Sequence, residues 1–180
     1  MTVSYVVATY NEDLVQPDCG GELLGPWQQA FWVGIRGPWR SKSNFRRYRS
    51  RSAAGRWTDQ VSFEQQVAVL ALSHLPSNWD LGDPKARVSE RPQIVAFIYA
   101  ESLLDVPNLA KSTMDALEHI CFHTDASVRH CACMGERRRS GNGLLAIARL
   151  APAASDTELF TAADQLSRTT LSAWHSATTS

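Results

Sequence analysis

Apolar positions along this chain fall into short runs and spaced stripes, and the two rhythms predict alternating strands and helices. Residues 93–100 read Gln-Ile-Val-Ala-Phe-Ile-Tyr-Ala, a run rich in β-branched and aromatic side chains that predicts a strand. Residues 31–35 (Phe-Trp-Val-Gly-Ile) predict another, ended by Gly37-Pro38. Between residues 62 and 75, Phe63, Val67, Leu70 and Ala71 recur at helical spacing, and Pro76 marks the stop. Residues 76–92 hold three prolines and predict a polar loop. A helix is expected over 106–121, with Pro107 in the first turn, where its missing N–H costs nothing. Residues 128–134 alternate as a strand, 136–143 make a basic turn, and 144–150 make the last strand of this series. A short β-like run at 3–10 and a Pro/Gly-containing stretch precede the first clear strand.

Beyond Pro152 the composition shifts to Ala, Ser and Thr, and a modest helix over 157–174 is expected as an appended element. The resulting organisation is an extension over residues 1–30, a main domain over 31–150 and an appendage over 151–180. Strands and helices alternate in an order that fits an α/β or α+β domain with a mixed sheet. At 180 residues with 44% apolar content, one compact domain with its own core is expected.

Composition removes several classes of protein. No stretch approaches the roughly 18 apolar residues that a membrane span requires. The first thirteen residues carry no basic segment ahead of their short apolar run, so a secretory signal is not expected. Cys19, Cys121, Cys131 and Cys133 are too few and too unevenly spread for a disulfide scaffold. They read as reduced thiols in a cytoplasmic protein, with Cys121, Cys131 and Cys133 expected to be buried.

The net charge of zero hides a segregation. No acidic residue lies between Glu22 and Asp59, whereas that stretch holds Arg36, Arg40, Lys42, Arg46, Arg47, Arg49, Arg51 and Arg56. Such a run fits a solvated loop, or a loop facing an anionic partner that relieves the repulsion. Trp39, Phe45, Tyr48 and Trp57 interleave with the basic residues and can stack on bases. Arginine is also the side chain suited to bidentate phosphate contacts. Nucleic acid is the expected partner.

The polar chemistry concentrates after the strand at 93–100. Asn108, Lys111, Asp115 and Glu118 share one helical stripe, opposite Leu109, Thr113, Ala116, Leu117 and Ile120. Asp105 stands at the mouth of that helix, Glu101 ends the preceding strand, and Asp125 precedes the next strand. Carboxylates on rigid elements beside a basic groove suit Mg²⁺-assisted phosphodiester cleavage, because the ion takes oxygen ligands and keeps several waters. A lysine nearby can stabilise developing charge. The same residues also fit a helix N-cap at Asp105, a surface ion pair between Lys111 and Asp115, and a turn at Asp125.

One resemblance bears on that choice. The stretch Asp105-Val-Pro-Asn108-Leu-Ala-Lys111-Ser-Thr-Met-Asp115-Ala-Leu117, followed by Thr124-Asp125-Ala-Ser-Val128, resembles the RusA-type Holliday junction resolvases. Their pattern is D-x-D-N-x-x-K-x-x-x-D-A-L, then D-D and a valine-bearing strand. Val33-Gly-Ile-Arg-Gly-Pro38, with Lys42 beyond, is similar to the family's first strand and its basic continuation. The resemblance covers roughly residues 30–150. It implies a RusA-like fold and a homodimer, often phage-derived, that makes paired nicks in four-way DNA junctions with Mg²⁺ (or Mn²⁺ in its place). By position it implies that Asp105 and Asp125 ligate the metal and that Lys111 is the essential lysine. Asn108 and Asp115 fall on motif positions with a supporting role. Pro107 stands where the family has its second aspartate, and Thr124 where it has the first of D-D. The proline removes a carboxylate, for which Glu101 is the nearest substitute. A chain that binds junctions but cuts them poorly is therefore the alternative on the same fold.

A zinc protein is a further alternative, because Cys121, His123, His130, Cys131 and Cys133 fall within one short window. Against it, two cysteines at alternate strand positions stand nearly 7 Å apart along the strand, and the usual C-x₂₋₄-C turn is absent. Trp27, Trp32 and Trp79 are expected as core or loop anchors.

Overall fold

The structure, a computed structural model, describes residues 19–35, 51–101, 106–136 and 142–178, with backbone alone at 51–62, 106–107 and 178. Among the described residues the five strands are β1 (Gly20–Glu22), β2 (Gln29–Ile35), β3 (Gln93–Ala100), β4 (Val128–Gly135) and β5 (Gly143–Leu150). The three α-helices described are α1 (Arg51–His74), α2 (Val106–Leu117) and α3 (Asp156–Thr178). Together they make one α+β domain around a mixed sheet of order β1-β2-β5-β3-β4. β5 runs antiparallel to both β2 and β3, whereas β3 and β4 are parallel and joined through α2.

The central strands are apolar at consecutive positions because both faces of the sheet are covered. Every residue of β3 is buried. On one face, Phe31, Val33, Ile35, Ile94, Ala96, Ile98, Leu145 and Ile147 meet α1 through Phe63, Val67 and Ala71, and α2 through Leu109, Met114 and Leu117. On the other face, Trp32, Val95, Phe97, Tyr99, Leu144, Ala146 and Ala148 meet α3 through Leu159, Ala162, Ala163, Leu166 and Trp174. Gly34 allows the close approach here, since a Cβ there would collide with Cys19 Sγ and would stand 2.8 Å from the Trp174 ring.

α3 thus covers one of the two faces of the sheet. Its start is a capping box: the Ser155 N–H and hydroxyl both donate to Glu158 Oε2 at 2.7 Å, and the Glu158 N–H donates to Ser155 Oγ at 3.3 Å. These bonds from Ser155 hold the exposed Glu158 carboxyl below its ordinary range. The helix extends at both ends beyond the 157–174 expected from its apolar spacing, and the S-x-x-E signature is the signal that marks its true beginning.

Three other boundaries move. α1 starts at Arg51, eleven residues before the expected 62, so Arg51 and Arg56 lie on a helix rather than in the basic loop. The residues around them hold no proline, but Gly55 weakens the helical signal and the charge pattern obscures it. β1 forms inside the Pro/Gly-containing stretch, where Leu23 N–H donates to the Ala30 carbonyl at 2.9 Å and closes the hairpin. α2 ends at Leu117, four residues before the expected 121, because His119 adopts the left-handed conformation (φ 66°). Its N–H then donates to the Phe122 carbonyl at 2.7 Å. The predicted strand at 3–10 lies outside the described residues.

Two measurements test this account. Leu166 is fully buried in the second core, so Leu166→Ala is expected to lower stability by about 2–5 kcal/mol in urea unfolding. An effect below about 0.5 kcal/mol would mean that α3 contributes little. His119→Gly relieves a conformation that costs an L-residue about 1–2 kcal/mol, and the midpoint of unfolding is expected to rise.

Candidate metal and nucleic-acid site

Strand register determines which chemical groups share an end of the sheet. β3 and β4 pair from Ile94↔Val128 to Ala100↔Gly135, so Asp125, three residues before β4, lies at the end where β3 begins. Glu101 lies at the opposite end, where β3 leaves the sheet. An eight-residue strand is about 23 Å long. α2 carries the chain back between these ends over about 18 Å. Its carboxyl end is fixed at the Asp125 end, where Trp79 Nε1 donates to the Cys121 carbonyl at 3.1 Å and Trp79 packs edge-on against Phe31 with centroids 5.4 Å apart.

Of the expected ligand pair, Asp105 lies outside the described residues, and Asp125 is exposed in a short 3-10 turn. Val106 opens α2 at the Glu101 end, a helix length from Asp125. The physical reason is the parallel pairing: the residue after one strand and the residue before the next lie at opposite ends of the sheet.

The other expected residues lie along α2 or beyond the described segments. Lys111 is exposed on α2, and Asn108 and Asp115 are half-buried on the same helix. Ser112, Thr113 and Met114 are buried, Thr113 on the apolar side that the spacing predicts. Arg36, Arg40, Lys42, Arg46, Arg47 and Arg49 lie outside the described residues, as does the side chain of Arg51.

At the Glu101 end a different pair of carboxylates meets. The Tyr99 hydroxyl donates to Glu136 Oε2 at 2.5 Å and lies 3.5 Å from Glu101 Oε1. Tyr99 and Glu101 point to one face because they alternate along the strand. Glu136 comes directly after β4 beside them, with its N–H donating to the Ala100 carbonyl at 2.9 Å. The Glu101 N–H donates to the Asn142 carbonyl at 2.8 Å, which brings the approach to β5 alongside. Ile35, Gly143, Ala100 and Gly135 all finish at this end through the register of the four strands. The basic segment 36–50, the Asp105 segment 102–105 and the segment 137–141 with Arg137, Arg138 and Arg139 are therefore all attached here. Glu136 and Tyr99 belong to no motif, and the sequence pattern assigns Glu136 to a basic turn. The only signal for the pair is an acidic residue directly after each of two strands.

The cysteine and histidine window separates in space. Cys121 is buried, and His123 Nε2 lies 2.9 Å from the Gly82 carbonyl. His130 turns to the other face, against Phe160 with centroids 5.7 Å apart. Among the described residues no three His, Cys, Asp or Glu side chains converge as a metal centre. Of the three cysteines expected to be buried, Cys121 is, Cys133 is half-buried and Cys131 is exposed. Among the described residues no helix is long and apolar enough to cross a membrane. No protein-family model matches the chain, and no curated protein matches it either.

Burial pushes the Cys121 thiol up to about 12. The unfolded chain sheds that proton near the ordinary 9.0 while the folded chain keeps it, so stability is full below about pH 9 and falls as pH rises toward 12. Cys121→Ala is expected to flatten that decline in urea unfolding measured from pH 8 to 11. An unchanged slope would assign it to other groups.

Proposed function

We propose that this chain is a magnesium-dependent endodeoxyribonuclease acting on branched DNA, working at the end of the sheet where β3, β4 and β5 meet. The observation that carries the reading is the placement of Glu101 and Glu136 around the Tyr99 hydroxyl at the end to which the basic and Asp105 segments are attached. The donor set fits the ion. Carboxylate oxygens are the hard ligands that Mg²⁺ or Mn²⁺ takes, and one or two of them suffice when waters complete the shell.

Glu101 and Glu136 would hold the metal, with Asp105 as a third candidate from the adjoining segment. When bound, the ion neutralises charge on the scissile phosphate and makes a water more acidic. Tyr99 orients Glu136 through its hydrogen bond and keeps the two carboxylates on one side of the sheet. Arg36, Arg40, Lys42, Arg46, Arg47 and Arg49, together with Arg137 to Arg139, bind backbone phosphates and so position the duplex arms. Lys111, exposed on α2, stands on the side of the sheet away from Tyr99 and is not assigned to this site. Paired nicks across a junction need two such sites, which a homodimer with two-fold symmetry supplies.

The decisive experiment is cleavage of a synthetic four-way junction with and without Mg²⁺ or Mn²⁺. Glu101→Gln and Glu136→Gln are each expected to slow cleavage by about 100-fold or more while retaining junction binding. Asp125→Asn is expected to change the rate less than about twofold, since the group lies at the far end of the sheet. Replacing Arg46, Arg47 and Arg49 by alanine should reduce the slope of log affinity against log salt by about 2.7, at roughly 0.9 per phosphate contact. Wild-type binding without cleavage in either metal would leave a junction-binding protein. Undiminished cleavage in both glutamine variants would sink the proposed site.

A further inference from the structure

Cys131 and Cys133 alternate onto the same face of β4, which borders the sheet and pairs with β3 among the described strands. Their backbones are separated by two strand residues, about 6.6 Å. The side chains nevertheless lean together and bring the two Sγ atoms to 3.7 Å. A disulfide normally wants Cβ atoms about 3.5–4.5 Å apart, so closing one here requires the strand to shift. A metal chelate does not. Two thiolate bonds of about 2.3 Å at the tetrahedral angle span a sulfur–sulfur distance of about 3.8 Å. The separation found is the edge of that tetrahedron.

The approach and the protons also suit a chelate. Cys131 is exposed and Cys133 half-buried, so an ion reaches the pair from solvent and keeps its remaining positions for water or solute ligands. The two sulfurs share a hydrogen bond at 3.7 Å, and a bound cation would take the place of the shared proton. Each metal–sulfur bond made releases one thiol proton to solvent.

We propose that Cys131 and Cys133 form an open, bidentate dithiolate site for a soft divalent cation of the zinc or cadmium type. It differs from a four-ligand zinc centre, since Cys121 is sealed in the core and His130 faces the opposite side of the sheet. It also stands apart from the nuclease reading, because the two sulfurs and the Glu101–Glu136 pair point to opposite faces.

The test is titration of the reduced, full-length chain with Cd²⁺ in the absence of oxygen. Binding is monitored by the ultraviolet thiolate-to-cadmium charge-transfer band and by native mass. One cadmium per chain is expected. Cys131→Ser and Cys133→Ser should each weaken binding by about 100-fold or more, since the second thiol acts at a high effective concentration. Cys19→Ser should bind as the wild type does. Wild-type affinity in both strand variants, or no band at one equivalent, overturns the site. One cadmium per two chains with a doubled mass would also overturn it, in favour of a four-thiolate centre between copies.

Discussion

The parallel pairing of β3 with β4 is the constraint on which most of this structure depends. A parallel neighbour cannot be reached by a tight turn, so α2 must carry the chain back along the sheet before β4 begins. That return needs a helix with one apolar face toward the sheet and α1, which Leu109, Met114 and Leu117 provide. It also needs a sharp end, which His119 provides by turning left-handed. The crossover decides as well which polar groups can act together. Residues just after β3 share an end of the sheet with residues just after β4. They are kept a helix length from the residues that lead into β4.

Burial of both sheet faces accounts for the rest of the architecture. With α1 and α2 on one side, the other side of β2, β5 and β3 still presents Trp32, Phe97, Tyr99 and Leu144, too much apolar surface to leave in water. α3 covers it, so this carboxyl-terminal helix is bound to the centre of the fold. Tyr99, Glu101 and Glu136 meet where β3 and β4 leave the sheet.

The two proposed sites are separated by chemistry as well as by position. The glutamates offer hard oxygen at the open end of the sheet, while Cys131 and Cys133 offer soft sulfur on the opposite face of the bordering strand. Magnesium and zinc-type cations divide between such donors by their own preferences.

Much of the fold is legible from the residues alone. β3 coincides with its apolar run because a strand buried on both faces must be apolar throughout, and residues 128–134 and 144–150 match their strands to within one residue. Those signals are local, set by side-chain period and propensity. The early start of α1 and the length of α3 are weaker in the pattern, since Ala, Ser and Arg favour no apolar stripe. The chemistry behaves differently. Asp105, Lys111, Asp115 and Asp125 form a compact motif in sequence, yet strand direction keeps Asp125 from the residues that open α2. Glu136 and Tyr99, 37 positions apart, meet at 2.5 Å. Backbone spacing alone sets Cys131 and Cys133 too far apart to act together, and their side-chain rotamers close the gap to 3.7 Å. The elements, the mixed α+β class and the segregation of charge can be read along the chain, because each depends on near neighbours in sequence. Which carboxylates face one another, which thiols pair and which end of the sheet receives the basic segments depend on strand direction and register, which no local pattern encodes.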